Sequence, residues 1–321
     1  MTGYIVRRFG QAVVVALGVT LLTTFLLSLL NSSGGDHLAV ARRIEGPRAS
    51  VQLLESFTHK YGLDRPFYVE FWKFLGQLVH GNLGYSFHRS ESVNTIFKQD
   101  LSKDALLGAI SLFAAAAIAI PFGVAQAVKR NTLLDYSGTG ASFLLYAMPQ
   151  YWLGAVLILI FAEHWKLFPG GVGPNAQTFS GLIHHPDNLV LPVATLTLSI
   201  YALFSRYMRS SAIDVLAQDY MRTARAKGLP ERLVLWRHLV RNALVAVVTL
   251  VGVSIPGILT AGLIIEQVFN YPGIGLEYFR AAQSSDFLEL LGITFVVGVV
   301  TVVGNLLADI GYAVLDPRVR Y

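Results

Sequence analysis

Few residues of this chain have the types and spacing that chemistry needs. His184 and His185 are adjacent, beside Pro186, and an imidazole pair of this kind could ligate a metal. A zinc site takes three or four protein ligands, and no clear third ligand accompanies the pair, so both are read as solvated. There is no G-x-x-x-x-G-K-[ST] loop to cradle phosphates, no H-E-x-x-H pair for zinc hydrolysis and no G-x-S-x-G elbow to present a nucleophilic serine. No G-x-G-x-x-G follows a strand pattern. Cysteine is absent, which excludes thiolate-ligated zinc, iron–sulfur clusters, thiol catalysis and a disulfide scaffold. Glu266 and Asp309 fall at the ends of apolar stretches, where they read as interfacial anchors rather than as gate bonds. What remains is recognition chemistry, concentrated between residues 206 and 242.

In that stretch Ile213, Leu216, Tyr220 and Ala224 recur at i, i+3, i+7 and i+11, one face of a helix, with Arg222, Arg225 and Lys227 on the rest. The helix is expected to stop near Gly228-Leu229-Pro230, a capping glycine followed by proline. Pro230 and Glu231 suit the first turn of a second helix, on which Leu233, Trp236 and Val240 give an apolar face. Two short helices with a fixed turn suit docking into a groove on a soluble partner, where apolar anchors bind and charges orient. The competing use is a basic loop lying on anionic lipid.

The elements that must position this loop are apolar. Hydrophobic residues make up 54% of the 321-residue chain and charged residues 14%, and mean hydropathy is +0.53. Soluble proteins carry about 25% charged residues, so soluble folds are disfavoured, and the apolar content excludes intrinsic disorder. A bilayer-crossing helix takes about 20 apolar residues. Six stretches qualify: Phe9–Leu30, Ala105–Val128, Tyr136–Ala162, Leu189–Phe204 (short, and expected to run past Arg206), Ala243–Ile265 and Leu288–Ala308. None shows the two-residue alternation of a barrel strand, so the chain is read as an all-α integral membrane protein with six transmembrane helices. The first stretch is longer than a signal-peptide core and no Ala-x-Ala site follows, so it is read as a retained anchor.

Lys and Arg set the orientation. With the N-terminus inside, the cytoplasmic side holds fourteen, from Arg7 and Arg8 to Arg318 and Arg320, whereas the two short outer loops hold only Lys166 and Arg280. Both termini are therefore expected in the cytoplasm. The net charge of +5 is read as this asymmetry, not as a nucleic-acid surface. Pro121, Pro149 and Pro256 interrupt three spans, and small residues such as Gly108, Gly154 and Gly262 run through them, which suits either a bundle that moves about a path or ordinary close packing. The chain divides into an anchor at 1–30, an extracytoplasmic segment at 31–100, a five-helix core at 101–315 holding the loop 206–242, and a tail at 316–321. In the outer segment Val69, Phe71, Trp72, Phe74, Leu75, Leu78 and Val79 give a wide apolar face, expected to pack on the bundle's outer side as a cap or a docking face.

The run Gln218-Asp219-Tyr220-Met221-Arg222-Thr223-Ala224-Arg225-Ala226-Lys227-Gly228-Leu229 resembles the coupling-loop signature of ABC-transporter permeases, in the form used by the dipeptide, oligopeptide and nickel permease family. Other pieces agree in order along nearly the whole chain. Tyr4-Ile5-Val6-Arg7-Arg8 is similar to the family's opening. Tyr61-Gly62-Leu63-Asp64-Arg65-Pro66 and Gly81-Asn82-Leu83-Gly84-Tyr85-Ser86 resemble its outer segment. Glu266-Gln267-Val268-Phe269-Asn270-Tyr271-Pro272-Gly273-Ile274-Gly275 resembles E-x-V-F-x-x-P-G-x-G, and Leu315-Asp316-Pro317-Arg318-Val319-Arg320 its D-P-R-x-R ending. There are departures. Ser33-Gly34-Gly35-Asp36-His37 stands for the common P-G-D-P, Arg222-Thr223-Ala224 for the general E-A-A, and Ala246 where proline is common.

The resemblance implies the ABC type I importer permease fold and an importer subunit without an ATP site. Its partners would be a second homologous permease, two ATP-binding subunits that hold ATP and Mg, an external substrate-binding protein and the bilayer. The chain itself would carry no cofactor, no catalytic residue and no metal. Carried over residue by residue, the helix 213–229 would couple to the ATPases through Asp219, Tyr220, Arg222, Thr223, Ala224, Arg225, Ala226, Lys227 and Gly228. Tyr220 would fill the partner groove, Arg222, Arg225 and Lys227 would set orientation, and Gly228 would allow the turn. Near the Pro149 kink, Tyr146, Met148, Tyr151 and Trp152 are candidates to line the path, or residues that face lipid or core. Two other classes compete. An autonomous channel or proton-coupled transporter would want ionisable groups near mid-bilayer, which the span cores lack, and a membrane enzyme would want a catalytic set.

Overall fold

A computed structural model describes the backbone of residues 2–32, 38, 41–42, 46, 49–61 and 66–315. The Ser33–His37 departure, most of the Tyr61–Pro66 motif and the tail 316–321 lie outside the described residues, as do the side chains of Tyr4–Val6, Pro256 and Asp309. The helices are α1 (Thr2–Ser32), α2 (Val51–Tyr61), α3 (Phe67–Val79), α4 (Val93–Val128), α5 (Leu133–Ala147), α6 (Gln150–Leu157), α7 (Phe179–His184), α8 (Asp187–Leu216), α9 (Asp219–Ala226), α10 (Arg241–Phe269), α11 (Ile274–Ser284) and α12 (Phe287–Leu315). A π-helical stretch, Ile158–His164, prolongs α6, and a single turn, Glu231–Leu233, with a second π stretch, Val234–Val240, leads into α10. A hairpin pairs β1 (Tyr85–Ser86) with β2 (Glu91–Ser92), Tyr85 opposite Ser92.

Among the described residues four helices are long and apolar enough to cross a membrane: Val93–Val128, Asp187–Leu216, Glu231–Gly252 and Phe287–Leu306. The pair Leu133–Ala147 and Gln150–His164, bent by 107°, makes a fifth if it is one span. The expected first span lies in α1, whose described apolar stretch is Val13–Leu26. The fourth does run past Arg206, to Leu216. Of the three expected breakers, only Pro149 breaks its helix. The residue before a proline is pushed out of the α region, and Met148 and Pro149 both take extended ψ values, 125° and 135°. Pro121 sits inside α4, and α10 runs through position 256.

The chain forms two compact units. One comprises the described residues up to Asp104 with Pro272–Leu306, and the other Ala105–Tyr271 with the described residues from Leu307 on. In the first, α4 begins at Val93, within the segment read as 31–100. The apolar face expected over 69–79 forms α3 but is only partly covered. Phe74 packs edge-on against Phe295, while Trp72 and Val79 stay exposed. A buried ionic network fastens the hairpin to α11 and the start of α12. Asp286 accepts from the Phe87 and His88 amides (2.6 and 3.0 Å), and Ser86 Oγ donates to Glu289 (2.7 Å). Arg89 lies 3.4 Å from Glu277 and 3.7 Å from Asp100, which also pairs with Lys103 at 2.6 Å.

The second unit packs α5, α6, α8 and α10 around two apolar cores. One is built on Phe204, Met208, Leu239 and Val247, the other on Leu182, Ile265, Phe269 and Tyr271. Small residues set the approach distances, as helix contacts in lipid require. A Cβ on Gly154 would meet Phe269 and Val268 at 3.2 Å, so α6 lies against α10 by virtue of that glycine.

Candidate functional site

The structure corrects the expected helix over 213–229. α8 ends at Leu216, Ala217 and Gln218 break the chain, and α9 begins afresh at Asp219. The break shifts the phase of the buried face. Met221 and Ala224, three apart, are the buried pair of α9, and Tyr220 is exposed. Met221 and Ala224 join the core formed by Phe204, Met208, Ala212, Val234, Leu239 and Val247. An eight-residue helix is marginal alone, so this anchorage is what holds α9 in place. The outward side carries Asp219, Tyr220, Arg222, Thr223, Ala226 and Lys227, all exposed. Asp219 sits in the first turn and Arg225 in the last, both favourable to the helix dipole. The Arg222–Asp219 contact, 3.8 Å and fully solvated, adds little.

Gly228 takes φ +72°, the left-handed conformation expected of a helix-ending glycine, and its amide donates to Arg225 O at 2.9 Å. Pro230 then opens the next helical turn. Arg225 bridges the turn, Nη2 to Glu231 Oε1 at 2.8 Å and Nε to Oε2 at 3.2 Å. The carboxylate raises the guanidinium further above its ordinary range. Arg225 thus braces the turn from within, whereas Arg222 and Lys227 remain outward. The second expected helix is not short. It continues through the π stretch into α10, and the i→i+5 bonding of that stretch rephases its faces. Val234, Leu239 and Val240 are buried, while Leu233 and Trp236, expected on the same face as Val240, are exposed.

Tyr146, Met148, Tyr151 and Trp152 flank the 107° corner between α5 and α6. The three aromatics are exposed and Met148 is half-buried, so all four stand at one corner of the chain. His184 and His185 are both exposed, and His184 Nδ1 lies 2.7 Å from the Ser180 carbonyl. Glu266, expected as an interfacial anchor, is instead 2% exposed, because α10 packs that face inward.

One pairing escaped the sequence reading. Asp135, buried at the start of α5, accepts from Arg209 of α8, Nη2 to Oδ2 at 2.8 Å and Nε to Oδ1 at 2.5 Å, and from the Asn131 amide at 3.0 Å. Gln126, also buried, reaches the Asp135 carbonyl at 3.4 Å. The connection between α4 and α5 is thereby locked to the helix that leads to α9. A carboxylate one turn into an apolar helix was the available signal, but its partner stands 74 residues away and no local spacing marks it.

Residues 119–321 match the family described as binding-protein-dependent transport system inner membrane component, and residues 1–106 match that described as the N-terminal part of binding-protein-dependent transport system membrane components. The chain is 36% identical over 322 residues, all of both chains, to the oligopeptide transport system permease protein AppB of Bacillus subtilis. It is 32% identical over 323 residues, again all of both, to the oligopeptide transport system permease protein OppB of Salmonella typhimurium. Against the dipeptide transport system permease protein DppB of Escherichia coli K12 it is 30% identical over 342 residues, covering all of this chain and 99% of that one.

Proposed function

The chain belongs to the family of binding-protein-dependent transport system inner membrane components, and from that membership we propose how it works and what it carries. It is a multi-pass cell-membrane protein and a permease subunit of an ABC importer. Its cargo is read as peptide, because AppB, OppB and DppB are named for oligopeptide and dipeptide transport. In this reading six helices cross the bilayer with both termini in the cytoplasm, as the Lys and Arg asymmetry favours. The chain forms half of the path, a second homologous permease the other half. Two ATP-binding subunits dock on the cytoplasmic side and bind ATP and Mg with their own residues. An external binding protein delivers the peptide. This chain supplies no catalytic group, and the assembled complex hydrolyses the ATP.

The observation that carries the reading is the build of α9. Met221 and Ala224 hold it from inside, and Asp219, Tyr220, Arg222, Thr223, Ala226 and Lys227 are exposed on its outward side. A helix seated this way transmits displacement rather than absorbing it, because close-packed interiors deform little. ATPase closure would push α9, and the push would pass through the core shared with α8 and α10 to the Tyr146–Trp152 corner, favouring one of two bundle states. The test uses the assembled importer in proteoliposomes with a labelled peptide. Tyr220→Ala combined with Arg222→Glu should lower uptake at least about tenfold, as loss of a central aromatic anchor and an orienting charge commonly does, while membrane insertion is unchanged. Full uptake by that variant would falsify the coupling role of α9.

A further inference from the structure

A small cavity of about 130 Å³ opens in the second unit, lined by Gln126 of α4, Thr139, Ser142 and Phe143 of α5, and Arg206 and Arg209 of α8. At about 30 Å³ per water it would hold roughly four, or one phosphate-sized group. Its lining is mostly apolar surface with a few neutral polar groups set in it. Gln126 Nε2 lies 3.4 Å from Thr139 Oγ1, and Ser142 Oγ lies 2.9 Å from Ser205 Oγ. The two arginines differ in standing. Arg209 is committed to Asp135. Arg206, half-buried, has no carboxylate partner among the described residues. Its guanidinium lies over Phe143, 4.3 Å from the ring centroid, and 5.2 Å from that of Tyr146. A guanidinium over an aromatic ring keeps N–H donors that the ring does not satisfy, and these suit a planar or tetrahedral oxyanion. With Asp135 neutralised by Arg209, one positive charge remains at the cavity. Exposed Lys129 and Arg130, on the connection between α4 and α5, add to the field.

We propose that this cavity binds the phosphate of an anionic phospholipid, with phosphate oxygens on the free edge of Arg206 and on the Thr139 hydroxyl. The acyl chains would lie along the exposed apolar side of α5, where Leu144 is 63% exposed. Lipid is favoured over a soluble anion because the cavity sits at the basic ends of apolar helices, where basic pockets between spans take phospholipid headgroups. The orientation proposed above places the site in the cytoplasmic leaflet, and only the choice of leaflet rests on that reading.

The test takes the assembly containing the full chain, held in nanodiscs of equal parts phosphatidylglycerol and phosphatidylcholine, and measures lipid retained by native mass spectrometry after detergent exchange. Wild type should keep phosphatidylglycerol preferentially. Arg206→Gln should lower that retention by about five- to tenfold, the effect of one basic residue or slightly more. Phe143→Leu, a change at an exposed position, should lower it too by freeing the guanidinium from its stack. Unchanged retention in both variants overturns the proposal. So does an equal loss in Lys129→Gln with Arg130→Gln, which would mean diffuse attraction. Displacement of the lipid by inorganic phosphate would make this a free-anion site, and displacement by cargo peptide would make it part of the path. Peptide uptake, measured on the same preparations, reports separately on the importer reading.

Discussion

At Gly228 the backbone sits at φ +72°, and no atom lies within 4 Å of where a Cβ would stand. The cost of a side chain there is therefore backbone strain alone, about 1–2 kcal/mol for an ordinary L-residue and least for asparagine, which visits the left-handed region most readily. Gly228→Asn should keep most peptide uptake and Gly228→Val should lose most of it, with both chains inserting equally. Equal loss in both would mean that the glycine serves a close partner contact rather than the turn. Asp135 makes the complementary case, where a side chain rather than its absence is required. Asp135→Asn leaves Arg209 facing a neutral amide. Breaking a fully buried pair costs about 3–5 kcal/mol. Since the Arg209 side chain is 27% exposed, water softens the loss, and about 2–3 kcal/mol is expected. The melting temperature of the purified chain should fall for Asp135→Asn, and adding Arg209→Gln should recover part of the fall by removing the stranded charge. A melting temperature unmoved by Asp135→Asn would mean that the pair does not hold α5 to α8.

α9 is short, and its stability is borrowed from Met221. That side chain is fully buried among Phe204, Met208 and Val234. Met221→Ala should cost about 2–5 kcal/mol, which an eight-residue helix cannot absorb locally. Amide exchange over 219–226 should quicken markedly, while α8 and α10 keep their protection. Protection unchanged in α9 would mean that Ala224 and the Arg225–Glu231 brace suffice. The same element marks how far the sequence could be read. The glycine turn, the proline start after it and the exposed Arg222 and Lys227 were legible, because each depends on residues within a few positions. The break at Ala217-Gln218 was not, since the apolar spacing of Ile213, Leu216, Tyr220 and Ala224 continues through it as if one helix ran on. Only tertiary packing, which takes Met221 instead of Tyr220 into the core, shows that it does not. The π stretch Val234–Val240 misled in the same way, because a 3.6-residue period does not describe i→i+5 bonding. The Asp135–Arg209 pair and the Ser86–Glu289 network were invisible for a different reason. Their partners are 74 and 203 residues apart, beyond the reach of any spacing rule.

Across the molecule the 107° corner decides the topology. α5 has 15 residues and, at about 1.5 Å per residue, reaches about 22 Å, short of a hydrocarbon core of about 30 Å. The Gln150–His164 arm is of similar length, so neither crosses alone, and the pair either spans together or returns to the side it came from. The proposed orientation separates the two. If α1 leads out and α4 leads back, Lys129 and Arg130 are cytoplasmic. A returning pair would then leave Trp165 cytoplasmic too, send α8 outward and put α9 on the outer surface, away from any ATPase. A pair that spans puts Trp165 outside and α9 inside. The second arrangement also leaves Lys166 the only basic residue of its loop on the outer side, in keeping with the positive-inside bias. The chain has no cysteine, so a single introduced thiol is unambiguous. Leu133, Trp165, His184 and Asp214, the last beside α9 at the end of α8, are all exposed positions suited to such labelling. In intact cells, Trp165→Cys and His184→Cys should react with a membrane-impermeant maleimide, whereas Leu133→Cys and Asp214→Cys should react only after permeabilisation. Trp165→Cys protected together with Leu133→Cys would make the corner re-entrant, and α9 could then face the cytoplasm only if another crossing were added or lost.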